Sequence, residues 1–288
     1  MRRVSGLISK LTGKSRTIFF IVVVLICVIA VGIGLYSQFF YEYSDTDPLM
    51  IGIYVGSKKT SEEYAELKAN FLNLFTNETY INSESIRIDK IETSQSIVYA
   101  GYLIENEDEA YYNVDLTLPV LNIDEDVAKE INAEIKSEFY DTASKIMRST
   151  SEYTIYQVSY VAYVNEDIVS IVIKENSKSG NDAETTRIKT YVYDISNNEE
   201  VSLSKLIELK ETTEDEVQKT IDSSIQTSYE NALAIANEYG TTVTRDLEDE
   251  MYEIENTEDY FLTDDGYVYI IYDYGETENT NEMDIIIF

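Results

Sequence analysis

Apolar and polar positions follow different rhythms along this chain. From Thr17 to Tyr36 the sequence TIFFIVVVLICVIAVGIGLY has no polar rhythm and no charged residue. As a helix it spans about 30 Å, the thickness of a bilayer's hydrocarbon core. A helical period begins at Thr60, where Thr60 and Glu63 make a capping box and Tyr64, Leu67, Phe71, Leu74 and Phe75 share a face. It returns from about Asp124 to Met147, with Val127, Ile131, Ile135, Phe139, Ala143 and Ile146 as the apolar stripe. A second long helix starts at the capping box of Thr213 and Glu216. Its stripe runs through Val217, Ile221, Ile225, Tyr229, Ala232, Leu233 and Ala236, and Gly240 ends it. A shorter helix is predicted over 244–254, with Leu247, Met251 and Ile254 inward.

Between these stretches the period falls to two. Strands are predicted over 97–104, through Tyr112, Val114, Leu116 and Leu118, and over 155–164, 168–174 and 186–195. Further strands fall at 260–262, 267–272 and 283–288. Hairpins are expected at Asn165-Glu166-Asp167 and at Asp265-Gly266. Grouped strands and helices joined by hairpins predict an α+β fold. Antiparallel sheets, rather than βαβ units, pack against two long amphipathic helices, preceded by one N-terminal transmembrane helix.

Charge orients the apolar run. Arg2, Arg3, Lys10, Lys14 and Arg16 precede it with no acid, and Glu42, Asp45 and Asp47 follow it. Positive charge stays on the cytoplasmic side, so the N-terminus is expected inside and the remainder outside. Phe39, Phe40, Tyr41 and Tyr43 suit an aromatic belt at the outer interface. The run is longer than a secretory h-region and no A-x-A-like site follows it, which favours an uncleaved anchor. Ile26 before Cys27 disfavours a lipoprotein. The expected organisation is a short cytoplasmic tail (1–16), a transmembrane helix (17–36), a juxtamembrane linker with a short helix (37–95) and an extracytoplasmic domain (96–288). Strand pairs flanking each long helix suggest two halves of that domain, 96–180 and 181–288.

Of the 22 basic residues five precede the span, against none of the 54 acids, so 17 basic residues face 54 acids beyond it, a net charge of −37. Such a field repels nucleic acid and anionic lipid and attracts cationic partners or divalent cations. The plainer reading is that acidity keeps an exported domain soluble. With Cys27 in the span no disulfide can form outside, which suits a Gram-positive surface.

The chain has no His, which removes Ser-His-Asp and Cys-His nucleophiles and His-ligated zinc. Phosphate-cradling glycine loops and the G-x-S-x-G elbow are absent as well. Carboxylate catalysis stays open, but among 54 acids no pair stands out. Asn122, Asp124 and Asp126 have the spacing of the first EF-hand ligands, yet Val127 occupies the position that needs glycine. A negative helix N-terminus accounts for them, and Asp264-Asp265-Gly266 reads as a turn. Seven acids in 246–258 read as a solvated helix face or a docking face for a basic protein. Tyr156, Tyr160, Tyr191 and Tyr193 read as core or cross-strand packing, and the sequon at Asn77 as chance. No residue is nominated as catalytic, cofactor-binding or metal-ligating, no cofactor is implied, and ligand-binding residues stay unassigned.

Five stretches carry a family resemblance: LTLPVLNI (116–123), AKEINAEI (128–135), YQVSYVAYVNEDIVSIVIK (156–174), TYVYDISNNEEVSLSKLI (190–207) and YFLTDDGYVYIIYDYG (260–275). In order and hydrophobic spacing, 97–288 resembles a family of extracytoplasmic domains of unknown function. It is shared by the ectodomain of the RsiV-type anti-sigma factor and the N-terminal region of peptidoglycan deacetylases. The resemblance implies an α+β envelope domain used for binding, in RsiV-like proteins for lysozyme, a strongly basic protein. The 16 residues ahead of the span are too few for a folded sigma-binding domain, and no deacetylase domain follows. The expectation is therefore a membrane-anchored binding or sensing domain for a cell-envelope component or a cationic protein. The alternatives are an accessory carboxylate enzyme or subunit acting on the cell wall, and a structural envelope protein. Membrane lipid around Thr17 to Tyr36 is the first expected partner. Protease added to intact protoplasts should therefore remove nearly all of the polypeptide; a chain left whole until lysis would refute this orientation.

Overall fold

The computed structural model describes residues 61–82, 91–240, 242–243, 246–273 and 283–288. The apolar run 17–36, its flanks and the capping residue Thr60 lie outside them. Among the described residues no helix is long and apolar enough to cross a membrane. Met1–Tyr64 and Ala65–Phe288 are separate compact units, and of the first only the opening turn of a helix is described.

That helix is α1 (Ser61–Ala69), followed by a 3-10 turn, Phe71–Asn73. Then come β1 (Thr79–Ile81), β2 (Val98–Asp108) and β3 (Tyr112–Leu121). A helical segment follows: α2 (Asp126–Ile135), a π turn (Lys136–Tyr140) and α3 (Asp141–Ser149). Next are β4 (Thr154–Asn165), β5 (Ile168–Ser179), β6 (Thr185–Asp194) and β7 (Glu199–Glu200). The chain continues through α4 (Leu203–Leu209), α5 (Glu214–Tyr239), β8 (Asp259–Leu262), β9 (Val268–Asp273) and β10 (Met283–Ile287). Strands β2-β3-β4-β5-β6-β7, with β1 beside β4, make a seven-stranded sheet, and β10-β9-β8 make a three-stranded one.

The α+β class holds, but the exclusion of βαβ units does not. Strand β4 runs parallel to β3, with Tyr112 opposite Thr154 and Leu116 opposite Val158. The reason is length. The segment from Asp126 to Ser149 rises about 36 Å, close to the roughly 33 Å of ten-residue β3. It carries the chain back to where β3 began. The seven-stranded sheet is therefore mixed, while the three-stranded sheet is antiparallel throughout.

The helical segment covers one face of the large sheet, and the three-stranded sheet covers part of the other. On one side Tyr156, Val158, Tyr160, Ala162 and Val164 of β4 share a core with Ile131, Ile135, Phe139 and Ala143. From Val127 to Ala143 the predicted stripe has a strict spacing of four, which drifts about 40° per step on a helix of 3.6 residues per turn. The wider π turn takes up that drift and returns Phe139 and Ala143 to the sheet. On the other side the three-stranded sheet packs through aromatic rings. Tyr163 lies 5.7 Å from Phe261 at 9°, and Phe261 lies 4.7 Å from Tyr269. Phe71, buried just after α1, stacks on Tyr269 at 6.2 Å. Helix α5 lies against β10, burying Val217, Ile221 and Ile225.

Helix α5 has the predicted capping box, with both bonds between Thr213 and Glu216 present, and Gly240 closes it at φ 70°. The hairpins at Glu166 and Gly266 form where expected, each with positive φ. Of the helix predicted over 244–254, residues 246–254 are described, and they form no α-helix. Two 3-10 turns, Glu250–Tyr252 and Ile254–Asn256, stand there instead. Asp246 and Asp249 accept from the backbone N–H two residues on, at 3.0 and 2.9 Å, and such local bonds compete with a helical ladder.

One seam needs a side chain to close it. Strand β4 pairs with β3 over 154–158 and with β1 over 162–164, which strands Tyr160 between two partners. Asn77, at φ 60°, donates its backbone N–H to the Tyr160 carbonyl at 2.8 Å and accepts the Tyr160 N–H on Oδ1 at 2.9 Å. Asn77→Ala leaves a buried strand N–H without that acceptor and should destabilise the fold by about 1–3 kcal/mol. Urea unfolding reads this as a lower midpoint, whereas Leu103→Ser at an exposed position should leave the midpoint nearly unchanged. Equal midpoints for Asn77→Ala and the parent would contradict the role given to Asn77.

Candidate functional site

The sequence candidates fall into structural roles. Asn122 is buried; its side-chain oxygen accepts from the Thr93 N–H at 3.0 Å, and its amide donates to the carbonyls of Gln95 and Ser96. It ties the 93–96 loop to the end of β3 and presents no free ligand atom toward Asp124. Asp124 pairs with Lys129, and Asp126 opens α2. Asp264-Asp265-Gly266 forms the predicted turn. Thr263 donates to Asp265, and Asn82 and Asn165 donate to the Asp264 carbonyl. The acids of 246–258 are exposed, but on irregular backbone rather than one helix face. Tyr156, Tyr160, Tyr191 and Tyr193 are buried as predicted.

The densest group of interacting charges was not legible in the sequence, because its members lie far apart along the chain. Arg187 of β6 donates to Glu138 in the π turn and, at 2.7 Å, to Glu175 of β5. It also lies over the Phe139 ring, 5.3 Å from the centroid. The Tyr156 hydroxyl donates to Glu175 at 3.3 Å, and the Tyr191 hydroxyl lies within 3.4 Å of both Glu134 and Glu138. Burial alone would lower the Arg187 pKa, but hydrogen bonds and charge from Glu175 and Glu138 raise it above its ordinary value. Burial raises the pKa of Tyr156 and Tyr191, and the neighbouring carboxylates raise them further. Both carboxylates are engaged by the guanidinium and by phenols. Chemically the group is a clamp holding the π turn on β5 and β6.

Two carboxyl groups are shifted upward elsewhere. Asp259 is raised by burial, although the nearby Lys189 charge and the Thr190 N–H at 2.8 Å oppose this. It ties the start of β8 to β6. Asp264 is raised by burial and by the charge of Asp265. A shallow groove of about 490 Å³ lies on α5, lined by Lys68, Lys219, Thr220, Ser223 and Ser224 among others. Lys68 donates to Ser224 at 3.1 Å; burial lowers its pKa and the Asp284 charge offsets some of that. Among the described residues no group of three or more His, Cys, Asp or Glu is placed to hold a metal ion.

No family model matches the chain, and no curated protein is significantly similar to it. Two solved structures of DUF3298 family proteins are similar. One is from Pseudomonas aeruginosa PAO1, with TM-score 0.40 and 13% identity over 63% of this chain and 83% of that one. The other is from Bacteroides fragilis NCTC 9343, with TM-score 0.30 and 13% identity over 62% and 80%. At these scores neither likeness bears on what the chain does.

The buried phenols predict a response to alkali. An unfolded tyrosine titrates near pH 10, whereas burial pushes Tyr160 and Tyr272 up to about 12 and raises Tyr163 and Tyr269 as well. Because the folded pKa is the higher one, the stabilisation is complete below about pH 10 and is lost as pH rises toward about 12. Difference absorbance should show exposed tyrosines ionising first and the buried group ionising together with loss of circular dichroism. All 25 tyrosines ionising near pH 10 with the fold intact would contradict it.

Proposed function

We propose that this chain is a membrane-anchored, extracytoplasmic binding or sensing protein for a cationic protein such as lysozyme, or for another cell-envelope component. Its role is recognition rather than catalysis. The observation that carries this reading is an acidic surface that ion pairing scarcely neutralises. Asp246, Glu248, Asp249, Glu250, Glu253 and Glu255 all lie exposed on one short irregular stretch. Among the described residues, lysine and arginine engage Asp124, Glu138, Glu175 and Glu208, and none of those six. Unpaired surface charge steers an opposite partner and sets its salt dependence.

Three further points support it. The resemblance of 97–288 to the extracytoplasmic family implies binding, and for RsiV-like proteins a basic ligand. The charge step across 17–36 implies that the acidic mass faces outward. The absence of histidine removes the commonest acid-base group.

The full chain in detergent micelles should bind lysozyme or soluble peptidoglycan fragments at low ionic strength, and a cationic ligand should weaken steadily as salt is added. Calorimetric titration reads both. Binding of neither ligand at low ionic strength would overturn the proposal.

A further inference from the structure

Strand β2 is an outer strand of the seven-stranded sheet. Strand β3 takes one of its edges, and among the described residues no strand pairs with the other. It is eleven residues long, and an open edge of that length is a template for another strand. Proteins guard such edges with bulges or charge. The register shifts between Ala100 and Tyr102, where Gly101 presses so close to Val120 that a Cβ would collide with its side chain. Beyond that bulge the pairing is regular, from Tyr102 opposite Leu118 to Asp108 opposite Tyr112.

Side chains alternate between opposite faces along this regular stretch. Tyr102 and Ile104 pack toward the helical segment, with Tyr102 5.4 Å from Tyr140. Leu103, Glu105 and Glu107 take the opposite face, all exposed, Leu103 at 72%. The residue opposite Glu105 on β3 is Asp115, also exposed. Like charges facing each other across two strands destabilise the pair. None of Glu105, Glu107 and Asp115 is among the carboxylates that pair with a cation in the described residues. A second copy laid on this edge would add further acids to the same place and be repelled. A basic strand would relieve the repulsion.

We propose that the outer edge of β2 receives an extended segment of the cationic partner by strand addition. Basic side chains lie beside Glu105 and Glu107, and an apolar one lies beside Leu103. In antiparallel addition the incoming segment reads basic-x-basic-x-apolar. Backbone hydrogen bonds hold it, and the acids select the sign of its charge. This inference deepens the binding reading above and rests on it.

The test uses the full chain in micelles, the blocked peptide Thr-Lys-Thr-Lys-Thr-Val-Thr as probe, and lysozyme in parallel. Saturating peptide should slow hydrogen exchange at alternate amides within 99–107. The double variant E105K/E107K, with unchanged circular dichroism, should bind the peptide about tenfold more weakly, as expected when two surface charges are reversed. Unaltered exchange in β2, or equal affinity of variant and parent, would overturn strand addition. If lysozyme binds variant and parent alike, the edge proposal falls while the binding reading stands. If neither probe binds the parent, the edge proposal falls, and the binding reading falls with it only when peptidoglycan fragments fail to bind as well.

Discussion

Strand β4 is apolar on both faces over its second half and changes its neighbour halfway along, and the rest of the structure follows from accommodating it. Burying Tyr156, Val158, Tyr160 and Val164 on one side and Val161 and Tyr163 on the other requires two separate covers. The helical segment of α2, the π turn and α3 is the first. The three-stranded sheet, seated through Phe261 and Tyr269, is the second. Where both faces are covered, every buried backbone group also needs a partner, because an unpaired one costs about 1–3 kcal/mol. Where strands fail to meet, side chains complete the ladder. Asn77 serves Tyr160, the Asn132 side chain bonds both the N–H and the carbonyl of Leu121, Ser170 accepts the Leu262 N–H and Thr190 accepts the Tyr260 N–H.

This arrangement explains where chemistry resides and where it does not. The buried side chains of Asn122, Ser170, Thr190 and Thr263 are committed to backbone partners. The buried Asp284 accepts from the Tyr252 hydroxyl, and the Arg187 group holds two layers together. Among the described residues, carboxylates that no lysine or arginine engages stand on the surface at the irregular 246–258 stretch and along β2. Recognition by charge is what such a surface offers.

Much of the local structure was legible because it is set by neighbouring residues. The capping box of Thr213 and Glu216, the Gly240 cap and the turns at Glu166 and Gly266 depend on a few adjacent positions, and all form. What was not legible depends on distant partners. The parallel return of β4 follows from matching a helical length to β3, a comparison that a period alone does not make. The π turn had left a trace, the strict spacing of four from Val127 to Ala143, but that spacing also reads as an ordinary helix. Over 244–254 the apolar positions suggested a helix, while Asp246 and Asp249 favoured local turns, and the turns prevailed. Asn77 read as a chance sequon because its partner, Tyr160, lies on a distant strand. The Arg187 group was invisible for the same reason, with Glu138 and Glu175 drawn from different elements.

Charge-driven recognition is the claim most exposed to a single measurement. Native lysozyme and lysozyme whose lysines have been acetylated can be titrated side by side into the full chain at one low ionic strength. The account predicts that acetylation abolishes most of the affinity, because it removes positive charge while leaving the apolar surface in place. Equal affinity for the two forms would show that the acidic surface does not select the partner.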